Sequence, residues 1–249
     1  MKNLEDLEHC AATFWEPIPE RNSFPRDVER YLPIHYAASI ESMQGLTTQR
    51  AYEWLSAKGF ARSEPPNNRR LDGCIIAQKG HAVLFIDSAL SVDERRMIVA
   101  HETAHFWIDY ELPRRRMKLR YGERGLQLLD QESPAETVEV LMSTAMGAPI
   151  QAFYHYQFKE QKQETEVEQR ANTLACLLIA PRKEVIARAR TRHIAREDKL
   201  KWLELLHQAF GVPENWARGY LPLLQRNYRD RAFSSWFLPS IGKCGNHDA

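Results

Sequence analysis

Apolar residues recur at helical spacing along most of this 249-residue chain, and two short runs read as strands. Leu4, Leu7, Ala11, Phe14 and Trp15 mark a first helix, stopped by Pro17 and Pro19. A second lies within residues 24–36, interrupted near Pro33. Ala51, Tyr52, Trp54 and Leu55 line one side of a helix over 48–58, with Gly59 placed to end it. Residues 63–70 form a polar, Pro-containing loop. The runs 73–77 and 82–86, joined through Gln78-Lys79-Gly80-His81, read as a β-hairpin.

The next stretch, 91–112, dominates the middle of the chain. Ser91 followed by Glu94 is a capping box, so a helix starts near Val92. No Gly or Pro interrupts it until Pro113, which marks its expected end. Further helices are expected over 134–146, 164–179, 185–211 and 214–232, with a loose tail after Pro239. The fold class is therefore α+β: mostly helical, with a small hairpin beside the helix of 92–112.

Composition narrows the classes. Apolar content of 43% and six Trp suffice for a core, and 34 basic against 33 acidic residues leave a net charge of +1. No bulk field points to nucleic acid or to a membrane surface. Direct nucleic-acid binding has only the local basic cluster at 114–120 in its favour. That cluster is either a solvated face or a means of neutralising an acidic substrate stretch. The N-terminus lacks the basic and apolar regions of a signal peptide, and no apolar run is long enough for a transmembrane helix. The four cysteines are scattered, which argues against a Cys-based zinc ribbon and against a disulfide framework. The expected location is cytoplasmic.

The chemistry lies in His101-Glu102-Thr103-Ala104-His105, an HExxH motif. Residues four apart share a helix face, so His101 and His105 can ligate one metal ion. Glu102 is displaced by one residue and is free to act as a carboxylate base. This pattern suits hydrolysis assisted by zinc, with a third ligand from elsewhere. Met97, Ile98, Ala104 and Ile108 share the stripe, so the imidazoles face a buried wall. In the helix of 164–179, Ala171, Leu174, Ala175 and Leu178 form a second buried stripe, and Glu168 lies on it. An anion on a packing face needs a cation. Beside an HExxH helix, Glu168 is the candidate third ligand, and Asn172, one turn later, a candidate hydrogen-bond partner for a ligating histidine. Taken alone, Glu168 would read as a solvated edge residue. Glu132, Glu136 and Glu139 are weaker candidates, and Tyr110, Tyr154, His155, Tyr156 and His193 are all open as oxyanion donors. The strand 83–86 is read either as a substrate-pairing edge or as an ordinary core strand.

With both motifs in view, LFIDSALSVDERRMIVAHETAHF at 84–106 and EQRANTLACLLIAP at 168–181 resemble the ImmA/IrrE metallopeptidases over about residues 30–190. The helix around HETAHFWIDY is also similar to that of thermolysin-type zinc peptidases. The resemblance implies a zinc endopeptidase with His101, His105 and Glu168 as ligands and Glu102 as base. It further implies a specific protein substrate, a transcriptional regulator of the repressor type. On this reading, residues 1–62 are an N-terminal helical part and 63–190 the metallopeptidase core, with 191–249 a C-terminal helical extension. The 63 residues separating His105 from Glu168 exceed the spacing in compact members of the family, which places an insertion at about 114–163 that could cover the cleft. A different class also fits: a non-proteolytic, metal-binding regulatory module that sequesters a partner protein.

Overall fold

Period-2 alternation in two neighbouring strands divides the interior into two cores. The structure, a computed structural model, describes residues 4–60, 67–130, 153–158, 166–226 and 228. In β2 (Leu71–Gln78) and β3 (His81–Asp87), Ile75, Ala77, Ala82, Leu84 and Ile86 face the larger core. Cys74, Ile76 and Phe85 face a smaller one, closed by Leu46, Ala51 and Leu55. Strands that are buried on both faces are apolar at successive positions, which is why both runs stand out in the sequence.

The sheet has four strands in the order β1-β3-β2-β4, with β1 at Ala38–Met43 and β4 at Phe153–Phe158. β1 runs parallel to β3, and β2 is antiparallel to both β3 and β4. This corrects the edge reading of 83–86. β3 is hydrogen-bonded on both sides, and the edges are β1 and β4. The half-exposed sequence of β1, ASIESM, carries no strong apolar signature.

Helix α1 (Leu4–Trp15) and α2 (Val28–His35) pack on the larger core. α2 continues through Pro33. α3 (Thr48–Ala57) covers the smaller core, and Gly59, at φ 77°, follows its end as expected. α4 (Val92–His105) begins with the full Ser91–Glu94 capping box. The chain does not stop at Pro113. A π-helical segment, Phe106–Glu111, follows His105 directly, and α5 (Leu112–Asp130) continues from it, broken at Gly122. Pro113 falls two residues after the π-helical segment, within the continuing helix.

α6 (Glu166–Ile179), α7 (Arg182–Thr191), α8 (Lys199–Phe210) and α9 (Glu214–Gln225) complete the described chain. The expected helix over 185–211 is thus two helices, because Asp198 accepts from Lys201 N and starts α8 afresh. The last helix ends at Gln225 rather than 232. The expected helix at 134–146, Glu132, Glu136 and Glu139, and the tail lie outside the described residues.

The main core takes residues from all three parts of the expected division, from Leu7 to Tyr228. Three side chains hold the C-terminal carbonyls of α6. Trp15 Nε1 donates to Leu178 O at 2.9 Å, Arg26 Nη1 to the same oxygen at 3.1 Å, and the Tyr220 hydroxyl to Ala180 O at 2.9 Å. α4 is tied at its start by Arg95, which clamps Glu29 at 2.8 and 2.6 Å, and by Arg96 to Gly211 O at 3.2 Å. Gly211 has φ 66°, a conformation that favours glycine, and a Cβ there would lie 2.3 Å from the Arg96 guanidinium and push it aside.

Part of the basic cluster is paired within the chain. Arg114 is buried, bidentate to Asp130 at 2.7 and 2.8 Å; Arg115 donates to Glu111 and lies over Trp107; Lys118 pairs with Glu123. Arg116 and Arg120 of the same cluster are exposed. No helix among the described residues is long and apolar enough to cross a membrane.

Candidate metal centre

α4 lies against β2, β3 and α6, and its buried face carries the motif. His101, Glu102 and His105 are fully buried. The two Nε2 atoms are 3.2 Å apart. Glu168 on α6 meets both: its Oε2 is 3.4 Å from His101 Nε2, and its Oε1 is 3.6 Å from His105 Nε2. The three donors lie within 4.8 Å of one another and form a group able to hold a metal ion.

The spacing suits a small tetrahedral cation. Bonds of about 2.0–2.1 Å to zinc place neighbouring ligand atoms about 3.3–3.4 Å apart. The two Nε2 atoms, 3.2 Å apart, stand close to that edge length, and the two oxygens of the Glu168 carboxylate reach one ring each, at 3.4 and 3.6 Å. Two imidazoles and a carboxylate converge, a donor set of the kind that holds such an ion.

Asp109 was not anticipated. Its Oδ2 lies 3.3 Å from His105 Nδ1, and its Oδ1 accepts from Arg170, two residues after Glu168. The four-residue spacing that pairs His101 with His105 also pairs His105 with Asp109 and would have revealed it. Asp109 lies in the π-helical segment, a geometry often found where a helix carries a functional site. Asn172 lies near His101 and acts to raise its proton affinity, less strongly than Glu168 does.

The electrostatics separate the two histidines. Burial pulls His101 below its ordinary value, only partly offset by Glu168. Burial acts on His105 too, but hydrogen bonds to Asp109 and Glu168 outweigh it and hold it up at about 9. The same histidines hold the Glu168 carboxyl far below the usual range. Glu102 is pushed up to about 8 by burial; His105 opposes the shift and the Glu168 charge adds to it. Its oxygens make no hydrogen bond of good geometry among the described residues, with only the Ile75 backbone approaching. A buried carboxyl without firm partners, beside three converging donors, is suited to proton transfer.

Of the oxyanion candidates, Tyr110 is engaged elsewhere: its hydroxyl accepts from Gly80 N at 2.7 Å and pins the hairpin turn. His193 is exposed just beyond α7. Tyr154, His155 and Tyr156 fall on β4, with His155 opposite Ile75, and only their backbone is described. Trp216 on α9 was also missed; its ring centroid is 5.8 Å from that of His101. A tryptophan two residues into a C-terminal helix gives no sequence signal for this approach.

No family model, curated protein or solved structure matches the chain. The assignment of function therefore rests on the geometry of the site.

Proposed function

We propose that the chain is a zinc-dependent endopeptidase acting on a specific protein, as the resemblance to ImmA/IrrE enzymes implies. The observation that carries the reading is the convergence of His101, His105 and Glu168 from two helices, their donor atoms within 4.8 Å of one another, with Glu102 buried alongside. Zinc held by these three side chains supplies Lewis-acid polarisation and acidifies water.

The chain's own residues supply the rest. Glu102 takes a proton from the attacking water and returns it to the departing amine. Asp109 fixes the ring of His105, and Arg170 fixes Asp109. On this reading the substrate is a transcriptional regulator, and the enzyme is selective rather than digestive.

The test combines metal content with cleavage. Purified wild type and Glu102→Gln are loaded with zinc and incubated with candidate regulators. Both should retain about one zinc, and the variant should lose cleavage by roughly 10²–10⁴-fold. Equal cleavage by the two proteins would remove Glu102 from the mechanism. Zinc binding without cleavage by either would favour a sequestering module.

A further inference from the structure

The two histidines of the metal centre have unlike neighbours. Behind His105 stands the Asp109 carboxylate, itself held by Arg170. Beside His101 stand the neutral amide of Asn172 and the indole of Trp216. The indole and imidazole centroids are 5.8 Å apart and the ring planes 64° apart, the edge-on contact that aromatic rings prefer. Apart from His105, Trp216 carries the aromatic ring that meets His101 among the described residues.

Trp216 sits on a helix fastened to both helices that carry the donors. The turn leading into α9 is tied to α4 by Arg96, whose Nη1 donates to Gly211 O at 3.2 Å. The Tyr220 hydroxyl ties α9 to the end of α6, donating to Ala180 O at 2.9 Å. Val212 and Ala217, on either side of Trp216 in the chain, are fully buried. Trp216 itself is half-buried and lines a cavity of about 560 Å³ between α6 and α9. That cavity reaches Asn172 and Trp216 but not His101, which is fully buried.

We infer that Trp216 is a positioning residue of the metal centre: its indole fixes the ring of His101 and closes it off from the cavity, so that Nε2 stays directed at His105 and Glu168. The inference rests on His101 being a metal ligand. The second side-chain torsion of histidine is broad, so a neighbour must set the angle of the ring. For His105 a charged group does this, and for His101 an anchored ring does it by shape. The apolar shell around a metal site also controls the access of water to it. Truncating Trp216 removes the contact and opens the cavity towards the imidazole. The inference makes α9, which lies outside the stretch that resembles known peptidases, a part of the metal centre.

The experiment uses the full chain loaded with Co²⁺, whose visible d–d bands report ligand geometry. Zn²⁺ affinity is measured in parallel by competition with a chromophoric chelator. Trp216→Ala should weaken binding of both ions by about two- to tenfold and shift the bands. Trp216→Phe restores a ring and should bring the bands back to their wild-type positions. Leu223→Ala is the control. It lines the same cavity from the same helix, and its truncation should cost stability without moving the bands. If Trp216→Ala fails to fold, Trp216→Leu takes its place with the same expectation, because it keeps apolar bulk and removes the ring. Wild-type bands and affinity in that variant would overturn the positioning role. So would equal band shifts in Leu223→Ala, which would mark a general loosening of α9. A wild-type chain that binds neither ion would overturn the metal centre and the inference with it. A wild type that binds both, indifferent to Trp216, would overturn the inference alone.

Discussion

His105 Nδ1 lies 3.3 Å from Asp109 Oδ2, one helical turn away, and the other oxygen of that carboxylate is held by Arg170. The pair orients the ring so that Nε2 faces Glu168 and His101. A carboxylate behind a ligating histidine fixes its tautomer and strengthens it as a donor. Asp109→Asn keeps the shape and removes the charge. It should weaken zinc binding by about 10–100-fold while leaving the fold intact. Competition against a chromophoric chelator measures the first, and circular dichroism the second. An unchanged affinity would show that Asp109 does not support the ligand.

Zinc should stabilise the protein, because the three donors come from helices far apart in sequence and converge only in the folded state. At 100-fold excess over Kd the gain is about 2.7 kcal/mol. For a chain of this size that corresponds to a rise in Tm of roughly 5–10 °C. Scanning calorimetry with and without a chelator checks it, and Glu168→Ala should abolish most of the difference. A chelator-insensitive Tm in the wild type would contradict a bound structural or catalytic metal.

The metal-free protein should lose stability between pH 7 and about 9.5. His105 is raised from 6.5 to about 9, so its contribution is complete below 6.5 and disappears as pH climbs through 9. Glu102 is raised from 4.5 to about 8, so the cost of burying it builds as pH rises above 4.5 and is complete once pH passes about 8, in the lower part of this window. His101, lowered by burial, is neutral in both folded and unfolded states above 6.5 and adds nothing in this window. Zinc binding needs His105 deprotonated, so the zinc-induced rise in Tm should grow over the same interval. Thermal unfolding at pH 7 and 9.5, with and without zinc, reads both trends. A metal-free protein equally stable at both values would contradict the raised groups.

The helices and the metal face were legible because each is a local pattern. Ser91 and Glu94 announce α4, and the four-residue step from His101 to His105 places both rings on one face. Glu168 could be found because a carboxylate on a buried stripe demands a cation. The sheet was half legible. β2 and β3 are doubly buried and therefore apolar, whereas the pairing of β1 with β3 depends on a crossover that no local pattern records. The same limit hid Pro113's place inside a continuing helix, which depends on the π-helical segment before it. It also hid Trp216, whose approach to His101 is set by how α9 packs on α6.

Gly73 offers a final test of how the base is positioned. It lies at an irregularity in the β2–β4 pairing, directly beneath α4. A Cβ there would stand 2.6 Å from Ile98 Cγ2 and 3.3 Å from Glu102 Cγ. The missing side chain lets α4 approach the sheet closely enough to bury Glu102, a use of glycine and of strand irregularity common beside active sites. Gly73→Ala should therefore cost about 1–3 kcal/mol through overpacking. It should also lower cleavage, since the helix cannot yield at Ile98 without shifting Glu102. Ile98→Ala alone should cost about 2–5 kcal/mol by leaving a cavity. Because the new methyl group occupies part of that cavity, the double variant should cost less than the two single changes added together, by about 0.5–3 kcal/mol. Urea denaturation of the four proteins gives the coupling directly. Strict additivity would mean that Gly73 and Ile98 do not meet, and that the close seat of α4 on β2 is not what holds Glu102.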